Sequence, residues 1–150
     1  MAGRGAQGTR ILHSAGGSAT TFVEVEHVTN VSGPNGQAAT IDVTDLRSTG
    51  KENIPGLPDY GQVTLDINYY GATKQLALVA MFNDHSDPQS FKVAMPTDST
   101  EATFDVLSFD ASVVGCVFGA KVDDKQTMQI TLKTSGAVDL TPNVAVADLD

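Results

Sequence analysis

The sequence contains no tryptophan, a single cysteine and few basic residues, and each shortage bears on the class of protein. Because Cys116 is alone, no disulfide forms within the chain, which excludes a secreted fold built on disulfides. It lies in an apolar run, so we expect a buried structural thiol and not a nucleophile. Nine Lys and Arg oppose eighteen Asp and Glu, giving a net charge of −9. That balance disfavours a protein that grips nucleic acid in a groove, which needs a basic surface.

A long apolar segment is also missing. No run approaches the roughly 20 apolar residues of a membrane-spanning helix, and the first residues lack the apolar core of a signal peptide. We therefore expect a protein that is made and kept in a cytoplasm, with no membrane partner. Its 150 residues, 41% hydrophobic and 18% charged, are typical of a soluble globular domain with a sizeable core.

Alternation of apolar and polar residues indicates β-strands along most of the chain. The pattern is cleanest from Gln62 to Tyr69, with Val63 and Leu65 on the apolar face. The Asn35-Gly36 dipeptide predicts a hairpin turn between the first two strands. The predicted strands are Phe22–Val31, Ile41–Thr44, Gln62–Tyr69, Phe91–Met95, Thr103–Ser108, Val113–Phe118, Met128–Leu132 and one that starts at Val138.

One helix is predicted over Thr73–Asn83, with Thr73 as its cap and Leu78 and Phe82 facing the sheet. Residues 1–20, rich in Gly, Ala, Ser and Thr, are predicted to be a flexible arm, and residues 142–150 a loose acidic tail. The predicted fold is mainly β: an antiparallel β-sandwich or barrel with one short flanking α-helix and a long inter-strand loop.

The long connection, Asp45–Gly61, is the unusual feature, because strands in small domains are normally joined by about two to five residues. Its Pro55–Pro58 core is predicted not to form a regular ladder, since proline donates no hydrogen bond. Such a segment is expected to be mobile in a monomer. It offers an apolar anchor, Leu57, with charges around it, which suits docking on a neighbouring molecule.

Catalysis needs a constellation of residues that the sequence does not supply. The three histidines have neither H-E-x-x-H nor H-x-E spacing, and no serine lies in a G-x-S-x-G elbow. We therefore predict no enzyme, no catalytic or metal-binding residues and no cofactor. A monomeric β-sandwich binding module and a small β-barrel ligand carrier remain as alternatives to an assembly protein.

From about Phe22 to Leu140, the order of these elements resembles the major tail tube protein of long-tailed bacteriophages. The resemblance rests on the Ile41–Thr44 strand, the Ser48–Gly61 loop with its Lys51-Glu52 pair, and the strand ending in Leu132–Gly136. It implies a fold shared with the type VI secretion tube, with residues 21–141 as the tube domain. Six copies would form a ring whose inner strands make a continuous β-barrel, and rings would stack into a hollow tube for DNA.

The resemblance also implies partners and assembly residues. The partners would be further copies of the chain and the tape-measure, tail-tip and terminator proteins, while DNA would pass through the lumen without specific binding. The protein would lie in the virion tail, and in the host cytoplasm during assembly. Contacts between rings would fall on the N-terminal arm and on the loop residues Arg47, Lys51, Glu52, Leu57, Asp59 and Tyr60.

The net charge leads to an expectation about the lumen. An acidic wall would repel DNA and prevent it from sticking, because affinity for phosphate comes mainly from Lys and Arg. We therefore expect more acids than bases to face the channel. Asp66, on the polar face of its strand, is the candidate residue.

Replacing Ser48–Asp59 by a short Gly-Ser link should leave a folded, soluble monomer that does not polymerise, because the segment is predicted to act in assembly. Circular dichroism and electron microscopy on one preparation test both parts. Normal tubes from the shortened protein would show that the loop is not the ring-to-ring contact, and an unfolded protein would place the loop in the core.

Overall fold

Two antiparallel sheets and one α-helix account for most of residues 4–14, 22–85 and 87–149, which are those that the computed structural model describes. Seven strands form the main sheet in the order β2-β1-β7-β8-β9-β6-β3, and β4 and β5 form a separate ribbon. The elements are β1 (Arg10–Ser14), β2 (Phe22–Glu24), β3 (Val28–Ser32), β4 (Gln37–Asp42), β5 (Asn53–Asp59), β6 (Gln62–Asn68), α1 (Thr73–Asn83), β7 (Gln89–Pro96), β8 (Thr103–Gly119), β9 (Thr127–Ala145) and a 3-10 turn at Val146–Asp148.

The main sheet folds over on itself because its two edge strands are almost adjacent in sequence. Only residues 25–27 separate β2 from β3. In this connection the Val25 N–H donates to the Ile11 carbonyl at 2.8 Å, and the His27 carbonyl accepts from the Asn68 N–H at 2.9 Å. The two edges do not pair with each other, so the sheet is sandwich-like and not a closed barrel. The predicted mainly β, antiparallel class is confirmed.

Four strand predictions differ from the structure. The strand predicted at Ile41–Thr44 lies earlier in the chain, as β4, and ends at Asp42. The first predicted strand, Phe22–Val31, is two strands: the apolar pattern indicated a bulge or strong twist at His27-Val28, and the strand instead ends before His27, which has a φ of 63°. The hairpin at Asn35-Gly36 is wrong, because β3 pairs with β6 and β4 pairs with β5. The last four predicted strands are the halves of two long ones, β8 and β9. These two strands pair on both sides of three register shifts, and Gly136, at a φ of 81°, lies in one of the shifted regions. Bulges had interrupted the period-two pattern and made each strand resemble two.

The main core lies between the two layers, and a second cluster lies on the outer face of β1, β7 and β8. Ile11 belongs to the first cluster and its neighbour Leu12 to the second, as expected for successive residues of a strand. Phe104 and Leu149 join Leu12 in the second cluster, and Leu149 is only 2% exposed. The tail predicted to be loose therefore packs on the sheet up to residue 149.

The N-terminal arm is also more ordered than predicted. Arg10–Ser14 forms β1, which pairs with β2 on one side and β7 on the other. Ile11 and Leu12 are buried there, and Arg10 forms ion pairs with Glu101 at 3.5 Å and Glu24 at 4.0 Å. The polar composition of the arm had concealed this short apolar run. Residues 1–3 and 15–20 of the predicted arm lie outside the described part of the chain.

The helix begins and ends where the sequence predicted, but its contacts differ. Leu78 is fully buried in the main core, whereas Phe82 is half-buried and lies outside that cluster, so the prediction that Phe82 faces the sheet is wrong. Ala72, not Thr73, is the N-cap. The buried Gln75 fixes the helix: its amide nitrogen donates to the carbonyls of Glu26 and Asn68, at 3.1 and 2.9 Å.

Leu78→Ala should therefore destabilise the protein more than Phe82→Ala. Truncating a fully buried leucine costs about 2–5 kcal/mol, and half-exposed Phe82 has less contact to lose. Urea unfolding of both variants measures the difference. A larger loss for Phe82→Ala would contradict this packing of the helix.

His13 makes stability depend on pH. Its ring is buried beside Phe91, and this burial lowers the pKa of His13. A 3.2 Å contact of Nδ1 with the Ser14 carbonyl raises the pKa by a smaller amount, and the charge of Lys74 lowers it further. As the pH falls below about 6.5, the unfolded chain binds a proton before the folded one does. The free energy of unfolding should therefore decrease from pH 7.5 to 5.5.

Urea unfolding at the two pH values measures this decrease. His13→Leu removes the ionisable group and should flatten the dependence over this interval. An unchanged pH dependence in the variant would show that His13 is not its source.

Candidate assembly surfaces

The β4–β5 ribbon, with the turn between its strands, forms an arm (residues 37–59) that lies apart from the main sheet. Nearly all of its residues are exposed on both faces, and neither strand pairs with the main sheet. The arm carries the long connection in which the sequence placed the assembly loop. Its exposed apolar side chains are Ile41, Val43, Leu46, Ile54 and Leu57.

Pro55–Pro58 pairs with β4, although the ladder is irregular there, as predicted: its register shifts between Ala38 and Thr40. Pro58 lies opposite Ala38 and Pro55 opposite Thr40, so β5 has one residue more than β4 between these pairs. Each strand of a two-stranded ribbon has one unpaired side, and a proline whose nitrogen faces that side loses no ladder hydrogen bond. The extra residue is a bulge that accommodates the two prolines.

Side-chain hydrogen bonds shape the tip of the arm. Asp45 Oδ1 accepts from the backbone N–H groups of Arg47 and Ser48, at 2.8 and 3.0 Å. Glu52 Oε2 accepts from Ser48 Oγ at 3.0 Å, and the Glu52 N–H donates to Thr44 Oγ1 at 2.9 Å. Glu52 therefore stabilises the turn through these hydrogen bonds, although its side chain is exposed. Arg47 and Lys51 are exposed beside it.

The base of the arm is attached to the main sheet through Asp59. Its carboxylate accepts from the Gly61 N–H at 2.9 Å and from Lys133 Nζ at 3.2 Å, and these bonds lower the pKa of Asp59. Gly61 has a φ of 69°, and a Cβ there would lie 2.9 Å from the Asn35 carbonyl oxygen. The six predicted loop residues thus divide into Arg47, Lys51, Glu52 and Leu57 on the outer arm, and Asp59 and Tyr60 at its base.

Leu46 was missed by the sequence prediction. It is fully exposed at the tip of the arm, and Leu57 is 92% exposed. A leucine between Asp45 and Arg47, inside a polar connection, was a usable signal, because a turn gains no stability from an apolar side chain in water.

A second candidate surface is the polar face of four strands: β3, β6, residues 127–133 of β9 and residues 112–119 of β8. Cross-strand partners share a face, so the register brings their polar side chains together. Asp66 accepts hydrogen bonds from Asn30 Nδ2 and Gln129 Nε2, each at 3.1 Å. The polar face comprises Asn30, Ser32, Gln62, Thr64, Asp66, Asn68, Ser112, Gly115, Val117, Gly119, Thr127, Gln129, Thr131 and Lys133.

Among the residues that the structure describes, both lateral edges of this four-stranded part are open. β3 is an edge strand of the main sheet, and residues 112–119 of β8 extend beyond β7, whose pairing ends at Ala111. Open strand edges present unpaired N–H and C=O groups that favour pairing with another chain. The four strands therefore form a module with one polar face and two edges available for association.

Comparison with known proteins decides what kind of assembly this is. A family profile described as phage tail tube, lambda-like, matches residues 3–144. The chain belongs to the lambda-like phage tail tube family. The resemblance seen in the sequence is confirmed, and the role of this tail tube protein is structural.

Solved structures share the fold at low sequence identity. The tail of an empty gene transfer agent particle, with C6 symmetry, gives a TM-score of 0.74 and 16% identity over 93% of this chain and 99% of that one. The SPP1 tail tube gives a TM-score of 0.70 and 10% identity, over 97% of this chain and 83% of that one. A sheath/tube terminator of an extracellular contractile injection system gives a TM-score of 0.72 and 13% identity, over 94% of this chain and 98% of that one. No curated protein sequence gives a significant match.

Residues 4–14, 22–85 and 87–149 contain neither a metal-binding cluster nor a membrane-spanning helix. Within them, no group of three His, Cys, Asp or Glu side chains is placed to hold a metal ion. In the same part of the chain, no helix has the length and apolar character needed to cross a membrane. Cys116 is half-buried rather than fully buried as predicted, and burial raises the pKa of its thiol, which disfavours the reactive thiolate.

Proposed function

We propose that six copies of this tail tube protein join edge to edge into a ring, with their polar faces lining the channel. The observation that carries the proposal is the four-stranded module with one polar face and two open edges. Its other face packs on the main core, so only the polar face is free to line a channel. The C6 symmetry of the similar gene transfer agent tail supports the number six.

The strand directions allow such a ring to close. The module alternates in direction from β8 through β9 and β6 to β3, since every neighbouring pair is antiparallel. With an even number of strands, β3 of one copy meets β8 of the next in antiparallel orientation, and the alternation continues around the ring. Six copies give a barrel of about 24 strands, which is wide enough for an open lumen, because barrels of about 16–18 strands already hold an aqueous channel.

The proposed channel wall is mostly neutral. Its charged residues are one acid, Asp66, and one base, Lys133, so the predicted excess of acids does not arise on this face. Lys133 is also paired with Asp59. DNA would pass without sticking because the wall has almost no cationic side chains to displace its counterions. The remaining wall residues are mainly hydroxyls, amides and glycines.

The arm would connect successive rings. The exposed apolar side chains of its outer part are suited to a neighbour, with Arg47, Lys51, Glu52 and Leu57 as contacts. Asp59 and Tyr60 would hold its base. The stacked rings would form part of a virion tail assembled in a host cytoplasm, with tape-measure, tail-tip and terminator proteins as further partners and no catalytic role. The terminator among the similar structures supports the last of these partners.

Hydrogen exchange of dissociated subunits and assembled tubes tests the ring. Exchange should slow on assembly at β3 and at residues 112–119, because their outward amides become paired between copies. The matched control is β2, also an edge strand of the main sheet but outside the module. Protection of β2 with no change at β3 would place the ring contact at the β2 edge and contradict the proposed ring. A protein that stays monomeric at high concentration would favour the β-sandwich binding module.

A further inference from the structure

The end of the module opposite the arm exposes aromatic and apolar side chains. We define the turn-end surface as Asn68–Tyr70 together with Phe118–Gln126, which includes the β8–β9 turn. Val122 is 92% exposed, Tyr70 is 72% exposed and Phe118 is 55% exposed. The Phe118 ring meets Tyr69 edge-on, with centroids 5.4 Å apart. Apolar side chains gathered at one end of a sheet are typical of a contact surface.

Two adjoining clefts open on the turn-end surface, and both are lined by Asn68 and Lys125. Asn68 Oδ1 is buried and has no hydrogen-bond partner within the described residues. The backbone carbonyl of the same residue is satisfied by Gln75. A buried acceptor without a donor is unfavourable, so a donor supplied by an incoming molecule would add to affinity.

The register places this surface and the arm at opposite ends of the same strands. Gln62 pairs with Lys133 at the base of the arm, and Asn68 pairs with Thr127 at the turn end. β6 spans about 20 Å between them. Moving one copy along the strand direction therefore brings the arm of one molecule towards the turn-end surface of the next. Such a head-to-tail contact repeats without closing, as stacking requires.

Local charge also favours the contact. The chain carries a net charge of −9, so two copies repel each other over most of their surfaces. The tip of the arm (residues 43–52) contains two acids and two bases, Asp45, Glu52, Arg47 and Lys51. The β8–β9 turn (residues 120–126) has the same balance, with Lys121, Asp123, Asp124 and Lys125. The tip of the arm and the β8–β9 turn are each neutral, so these two segments approach each other without net repulsion.

We propose that the turn-end surface receives the arm of a second copy in the adjacent ring. Leu46 and Leu57 of the arm cover Phe118 and Val122, and Arg47 donates to the buried oxygen of Asn68. This rests on the proposed function, since it requires rings that stack. It names the receiving side of the contact between rings.

Cross-linking in assembled tubes tests the pairing. In a Cys116→Ser background, Leu57→Cys combined with Val122→Cys should give a ladder of linked subunits after treatment with a short bis-maleimide. The matched control combines Leu57→Cys with Leu140→Cys, because Leu140 is also well exposed, at 61%, but lies on β9 away from the turn. A ladder from the control pair but not from the Val122 pair would overturn the proposal.

Val122→Asp separates this proposal from the proposed function, because Val122 is almost fully exposed and its replacement should not affect folding. Electron microscopy should show rings that no longer stack, as for Leu57→Asp. If Val122→Asp makes normal tubes while Leu57→Asp does not, the arm docks elsewhere and only the present inference fails. If the unaltered protein forms neither rings nor tubes, the proposed function itself fails.

Discussion

The rest of the structure depends on the pairing of β8 with β9. This ladder runs from Thr103–Ala145 to Gly119–Thr127 and passes through both layers of the sandwich. Residues 104–111 of β8 also pair with β7, in the outer layer. Residues 127–133 of β9 also pair with β6, in the four-stranded module. Since the two strands continue from one layer into the other, the polar face and the outer layer are positioned by the same backbone hydrogen bonds.

Sequence patterns predicted the elements better than their partners. The helix and β6 were placed almost to the residue because their periodicities are long and uninterrupted. The pairing of β3 with β6 was missed because it joins segments separated by the whole arm, and a local turn dipeptide, Asn35-Gly36, favoured the wrong hairpin. β1 was missed because a short buried strand within a Gly- and Ser-rich segment gives little periodic signal. Such a strand is stabilised by its partners and not by its own composition.

The candidate assembly surfaces were predicted only in part, for a physical reason. Charges around a proline-containing connection indicated the arm, and the structure places four of the six predicted residues on its outer part. Leu46 and the turn-end surface were not found, because exposure of an apolar residue is a property of the fold that composition does not reveal. The open edges of β3 and β8 likewise follow from strand order, which a single sequence does not specify.

The second cluster has a consequence for synthesis of the chain. Leu12, near the beginning, packs with Phe104 and Leu149, so this cluster cannot form until the last of these residues has left the ribosome. The pairing of β1 with β7 is also delayed, because β7 is made about 80 residues after β1, and contacts between such distant segments form slowly. A chain that lacks Leu149 would leave part of the apolar surface of Leu12 and Phe104 uncovered. Synthesis through Leu149 is therefore required before the second cluster is complete.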